Sequence, residues 1–595
     1  MAELEKARNE IESRWQWQLE DLYKGTEQWE ADFQKSKALI QEFSLLQGHV
    51  AENPRKAIIA YFDSQLILER LYAFAHMHRD EDNANTVYQA LTDRATSLMV
   101  DTGAASAFLE PELLSMPEAD LAALMKDPAM AAYDAYLRSI LRNKPHTLPA
   151  EQEKLLAMTG EMADAPQTIF SMLTKVDMKF PAFRNEKNEK VPLTEATYGT
   201  FIRSSDRRVR KDAFTSLFET YKSFGATIAA SYGASVKGDL FSARARGFQT
   251  AVEASLFPDE VPLTVYDTLI SVIHEYLPAL DKYSALRQKA LNLPEVHMYD
   301  LYTSMVEDYD MPLPYPDAYK LVMEGLAPLG DDYLKTLKRA YEERWIDVYP
   351  SRFKSSGAYS WGAYGVHPYV LLNHRDDLDS AMTIAHEMGH AMHTYYSNLH
   401  QPGPKANYSL FAAEVASTVN EVILMTRLMD RYQENRKALA YLNNHLLEQF
   451  RTTVFRQTMF AEFERISHRM AEEGEALTQE ALTSAYLKLN QDYYGRHCQV
   501  DELVGVEWMR IPHFYRAFYV YKYATGFSAA VYLANRILTE GGPAVKDYHK
   551  FLSAGGSLTP IEALKLAGVD MSSPEPIRNA MKVFEATTDR LSSLI

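Results

Sequence analysis

Two histidines four residues apart enclose a glutamate in the run His386-Glu387-Met388-Gly389-His390. On a helix, residues four apart differ by about 40° around the axis and about 6 Å along it. Both imidazoles therefore leave one face, one turn apart, and can reach a single metal ion. Glu387 is turned away from direct ligation but is near enough to touch a water on that ion. Two neutral nitrogens and a carboxylate base beside a metal-activated water are the parts of hydrolytic metal chemistry. The ordinary alternative is a helix carrying two surface histidines.

The run from Asp376 to Leu399 has no proline, and Asp376 and Asp377 supply an N-cap and a negative first turn. Ala381, Met382, Ile384, Ala385, Met388, Ala391 and Met392 make the predicted helix apolar on most sides. Such a helix is buried, and a buried histidine or glutamate needs partners. That favours the metal reading. His393 lies about 10.5 Å along the axis from His386, too far for zinc–nitrogen bonds of about 2.0–2.1 Å on an unbroken helix. It is expected in the core or behind the ligands. Glu414 follows His390 by 24 residues, enough for the loop HQPGPKAN to turn and a second apolar helix to return antiparallel. Glu414 is the expected third ligand of one zinc ion per chain. Glu421, two turns further on the same face, is placed to accept a hydrogen bond from a ligand histidine and set its tautomer.

The chain that must position these groups has 595 residues, 47% apolar and 24% charged, enough for a large core and more than one structural unit. No apolar run approaches the roughly 18 residues of a membrane span. A net charge of −18 argues against nucleic acid and anionic membrane surfaces. The charged opening MAELEKARNEIESRW lacks the apolar core of a secretion signal, and the lone Cys498 suits a reducing compartment. The expected location is the cytoplasm.

Residues 1 to about 175 read as successive helices. His76 and His78, two apart, do not share a helical face and are expected at the surface. Residues 177–193 read as a hairpin and a domain junction, and 204–214 as a basic helix with a solvated face or an ion-pair ladder. Helices resume to about 345. Residues 355–374, with Gly357, Gly362 and Gly365 among aromatic and β-branched residues, are the most strand-like stretch. A strand there is either a plain hairpin or an edge able to pair with an extended peptide. Further on, His513, Tyr515, Tyr519, Tyr521 and Tyr523 crowd into eleven positions. Helical spacing of three of the tyrosines suggests a core stripe.

The segments AHEMGHAMH (385–393) and FAAEVASTVNE (411–421) resemble those of oligoendopeptidase F, in the thimet oligopeptidase-like (M3) family of zinc metallopeptidases. Further matches are W-x-L-x-D-L-Y at 17–23, YLRSILRNKPHTLPAEQEKLLA (136–157), the 204–214 segment and IPHFYRAFYVYKYATG (511–526). The resemblance implies a mostly α fold, a prolate helical ellipsoid with a deep central channel and a small β-hairpin or sheet beside the zinc helix. It implies an N-terminal helical cap at 1–190 and a catalytic domain at 191–595. It also implies zinc on His386, His390 and Glu414, with Glu387 as general base. His513, Tyr515 and Tyr521 match the positions that stabilise the tetrahedral intermediate, with Tyr519 and Tyr523 left open as neighbours. The expected activity is hydrolysis of internal bonds in short unstructured oligopeptides. No nucleic acid or membrane partner is expected, and the chain is expected as a monomer or weak homodimer. The alternatives are a carboxypeptidase-like relative and a non-catalytic, metal-containing peptide-binding protein.

Overall fold

The computed structural model describes residues 6–306, 308–309 and 311–595. It is dominantly helical and divides into two compact units, each assembled from three stretches of chain. The first comprises 1–147, 310–427 and 533–569; the second comprises 148–309, 428–532 and 570–595.

In the first unit the long helix α1 (Pro54–Glu81) begins where Asn53 accepts the Lys56 N–H and Pro54 needs no partner for its nitrogen. Leu68, Leu71, Phe74 and Met77 of α1 join Trp17, Trp29 and the helix Thr86–Ser106 in one core, which also takes in Tyr369 and Leu371. Those two residues belong to a three-stranded sheet of β1 (Ile346–Asp347), β2 (Tyr359–Trp361) and β3 (Tyr369–Leu371). β3 is central and fully buried, parallel to β1 (Ile346↔Val370) and antiparallel to β2 (Tyr359↔Leu371). β2 is an edge strand. The helix α2 (Leu378–His400) lies against β2 and β3, with α3 (Leu410–Arg431) and α4 (Gly542–Leu552) following in the chain. Two of the three strands, β2 and β3, thus fall in the stretch whose glycines and β-branched residues predict strands, while β1 precedes it.

His76 and His78 correct the expectation of surface residues. His78 is buried and bonded to Glu81, and His76 is half-buried, 3.2 Å from Asp80. Each histidine has an acid three or four residues on, one turn away, so α1 can bury both with a charged partner.

The second unit contains the hairpin expected at 177–193, formed by Phe183–Arg184 and Lys190–Val191. The basic run forms the helix Arg207–Ser223, capped by Asp206, and its arginines Arg207, Arg208 and Arg210 are ion-paired. Arg207 and Arg210 both grip Asp300, which also accepts the His297 N–H. Burial pushes the Asp300 carboxyl up, but these donors outweigh it and hold it below its ordinary value. Among the described residues no helix is long and apolar enough to cross a membrane.

Asp300→Ala would strand the buried Arg210 guanidinium without its carboxylate. The expected cost is about 3–5 kcal/mol, the range for breaking a buried ion pair from one side, read as a shift in the urea unfolding midpoint.

Candidate metal centre

α2 starts at Asp377, whose side chain accepts the Ser380 N–H at 2.7 Å, and continues without interruption through both histidines. Its period brings the rings of His386 and His390 to 4.8 Å between centroids, with the two Nε2 atoms 3.2 Å apart. The Glu414 carboxylate on α3 comes within 3.9 Å of His386 Nε2. One ligand atom from each of His386, His390 and Glu414 falls within 4.8 Å of the other two. Bonds of about 2.0–2.1 Å to a tetrahedral ion place ligand atoms roughly 3.3 Å apart. The donor set, two imidazoles and one carboxylate, suits a catalytic zinc that keeps a fourth position for water. The residues present fit a metal.

Glu414 reaches the histidines because α2 and α3 approach closely at Gly389. A Cβ there would stand 2.5 Å from Ser417 Cα and 2.8 Å from the Ala416 carbonyl oxygen, so no side chain fits without moving backbone. A polar clasp lies beside this contact. Asn420 on α3 donates to the Ala385 carbonyl at 3.0 Å and accepts the Tyr333 hydroxyl at 2.9 Å. All three partners are buried. The sequence reading missed this clasp, although an asparagine in an apolar helix is itself a signal, because a buried amide must be hydrogen-bonded.

Behind the ligands, Glu421 binds His386 Nδ1. A ring that donates there would present Nε2 to a metal, which on binding would displace the proton that Nε2 otherwise carries. Burial alone would lower the His386 pKa, but Glu421, Glu387 and Glu414 together hold it up to about 9. The pocket is thus electrostatically prepared for a cation. Burial and the neighbouring His386 charge push His390 down to about 3, so it is a neutral donor.

Glu387 is 7% exposed. Burial pushes its carboxyl up to about 7, His386 pulls it back, and the Glu414 and Glu421 charges add to the rise. A carboxylate with a pKa near neutrality suits proton transfer at cellular pH. His393 is not among the ligand atoms. It is buried with its ring stacked on Tyr408 at 3.6 Å and 10°, a core histidine that burial pushes down to about 3.

His513, Tyr515 and Tyr521 belong to the second unit. His513 is exposed on the turn Pro512–Tyr515, with the rings of Tyr519 at 6.3 Å and Tyr523 at 6.1 Å. Tyr515 is half-buried and stacks on Phe170 at 4.6 Å. Tyr521 opens the helix Tyr521–Glu540 and is buried against Tyr266 at 5.2 Å. Of the four tyrosines, the two that share ring contacts with His513 are therefore Tyr519 and Tyr523.

The chain belongs to peptidase family M3, whose model matches residues 200–583, and an oligopeptidase F model matches residues 112–180. It is a metalloendopeptidase of that family. It is 43% identical to oligopeptidase PepF of Bacillus subtilis, over 100% of this chain and 90% of the relative. Plasmid-encoded oligoendopeptidase F of Lactococcus lactis subsp. cremoris is 36% identical, over 99% of both chains. Among solved structures, oligoendopeptidase-F from Enterococcus faecium has a TM-score of 0.74 at 35% identity, over 96% of this chain and 99% of that one. A crystal structure from Chlamydophila abortus has a TM-score of 0.93 at 33% identity, over 99% and 100%.

Gly389→Ala should force α2 and α3 apart. The expected loss is about 1–3 kcal/mol of stability, as for overpacked cores, with a larger fall in zinc affinity as Glu414 withdraws. Thermal melting and competition with a fluorescent chelator read the two effects separately.

Proposed function

We propose that this chain is a zinc-dependent oligoendopeptidase that cleaves internal bonds of short unstructured peptides. The observation that carries the reading is the convergence of His386, His390 and Glu414 ligand atoms within 4.8 Å, with a buried Glu387 alongside. Zinc bound by those three residues would polarise the scissile carbonyl and lower the pKa of a water.

The remaining work falls to side chains and backbone. Glu387, held near neutrality, takes the proton of the attacking water and passes it to the leaving amine. Glu421 keeps His386 in the ligating tautomer. The free side of the edge strand β2 offers main-chain donors and acceptors to a peptide lying alongside, which requires that peptide to be extended. Such pairing explains a preference for unstructured substrates without reference to their side chains. Donors for the developing oxyanion come from the His513 stretch, matched by resemblance as His513, Tyr515 and Tyr521. Ring contact with His513 favours Tyr519 and Tyr523 as the hydroxyls acting beside it. On the same reading, residues 1–190 form the cap and 191–595 the catalytic part. The single buried thiol, Cys498, supports work in the reducing cytoplasm.

The test is a ladder of unstructured peptides of increasing length plus one folded protein, with products mapped by mass spectrometry. Internal cuts in the short peptides, sparing of the folded protein, loss with a chelator and recovery with zinc are expected. Stepwise loss of C-terminal residues would point instead to a carboxypeptidase-like enzyme. Glu387→Gln should keep its zinc and lose cleavage; loss of zinc in that variant would make Glu387 structural. His513→Ala should lower kcat by about 10²–10³, the usual cost of an oxyanion donor. Phenylalanine at each of the four tyrosines would show which hydroxyl shares that role.

A further inference from the structure

Between the turn Pro512–Tyr515 and the helix Tyr521–Glu540 the chain passes through Phe518, whose φ of 55° lies in the left-handed region. A phenylalanine is rarely found there, and such a conformation persists only where its surroundings hold it. His513 and the tyrosines assigned to the oxyanion all lie within five residues of this one.

The hold comes from the helix Arg456–Glu472. Glu464 on that helix is fully buried, and one of its carboxyl oxygens accepts the Phe518 N–H at 2.9 Å. The other oxygen is buried too, with no hydrogen-bond partner among the described residues. An ionised carboxylate in such a place is costly. Burial pushes this carboxyl well above its ordinary value, so Glu464 is a neutral acid at cellular pH. On the preceding residue, the Ala517 carbonyl accepts the Ser255 hydroxyl at 3.0 Å. The Ala517 carbonyl and the Phe518 N–H belong to one planar peptide group. Glu464 and Ser255 therefore grip its two poles and fix its plane.

The Phe518 ring is buried beside this clamp, with centroids 4.5 Å from His468 and 5.9 Å from Tyr266. Both neighbours are tied to the same helix. His468 Nδ1 lies 2.8 Å from the Glu464 carbonyl, and the Tyr266 hydroxyl donates to the Ala461 carbonyl at 2.6 Å. Tyr519, next in the chain, is half-buried, with its ring 6.3 Å from His513 and 5.4 Å from Tyr523.

We propose that Glu464 is a positioning residue for the reaction: with Ser255 it clamps the Ala517–Phe518 peptide, and that clamp sets how His513 and Tyr519 stand toward each other. The inference rests on the assignment of the His513 stretch to the oxyanion. Glu464 is far from that stretch in sequence and, being buried, never meets substrate. Its effect falls on kcat, leaving KM and metal binding nearly untouched.

Glu464→Met keeps the length of the side chain and removes the acceptor; Glu464→Asp withdraws the acceptor by one methylene. Glu464→Gln leaves a neutral acceptor in place. Each is assayed for peptide cleavage, zinc content and amide exchange at Phe518. Glu464→Met and Glu464→Asp should lower kcat by about 10–100-fold, up to the cost of roughly 1 Å of misplacement. Phe518 exchange should rise about tenfold in both, as for the loss of one hydrogen bond. Glu464→Gln should recover most of kcat and the slow exchange. Adding His513→Ala to Glu464→Met should cost little beyond the larger single loss, because both act through one group of donors. Full multiplication of the two losses overturns the proposal. So does unchanged Phe518 exchange, an equal loss in Glu464→Gln, or a loss confined to KM or zinc content. If Glu464→Met does not fold, Glu464→Asp decides on the same readouts. Cleavage at full rate by Glu464→Met would sink this inference alone, whereas a wild-type chain that cleaved no peptide would sink the proposed function.

Discussion

A missing Cβ governs the metal centre. At Gly389 the backbone of α3 comes so near α2 that a methyl group would overlap Ser417 Cα and the Ala416 carbonyl. That approach brings a carboxylate from one helix to two imidazoles on the other, and it does the same for Glu421 and the back of His386. The Asn420 clasp then fixes the two helices against sliding, since both of its hydrogen bonds are buried and neither can be exchanged for water. Packing density, polar satisfaction and ligand geometry are decided at one crossing. A glycine between the histidines is thus part of the site although it offers no donor.

The first unit solves a second problem around this crossing. Glu387 is a carboxylate in an otherwise apolar helix, and it lies beside the proposed ligands. Its place on α2 buries it, and that burial pushes its carboxyl up to about 7. A strand left open on one side is free to pair with an extended peptide, but for the same reason it is poorly located. The aromatic and acidic end of α1 supplies what the missing neighbour strand would have given. Tyr359 meets Asp80 of α1, and Trp361 packs on His76 and Tyr72 of the same helix.

What could be read from the sequence followed the range of the interaction. His386, Glu387 and His390 are a local, single-helix pattern, so the 3.6-residue period displays them directly. Glu414 required a turn and an antiparallel return, which the loop at 400–407 made legible, and Glu421 followed from the same face. The hairpin at 183–191 was visible because its turn residues are contiguous. Burial of His76 and His78 was missed because two-residue spacing was weighed between the histidines, whereas the relevant spacing runs from each to Asp80 and Glu81. Parallel pairing of Ile346 with Val370 and the grip of α1 on β2 join residues far apart in the chain, and no local pattern announces either. The fold itself is helical as its periodicity and resemblance imply, but the two units interleave three stretches each, an organisation that composition does not reveal.

The central claim, that His386, His390 and Glu414 hold one catalytic metal, is tested most directly by anomalous diffraction at the zinc edge from crystals of the zinc-loaded protein. One strong peak per chain is predicted, within about 2.0–2.2 Å of both Nε2 atoms and a Glu414 oxygen, with Glu421 on His386 Nδ1 and outside the coordination sphere. A peak elsewhere, or one ligated by Glu387 or His393 in place of Glu414, would contradict the account.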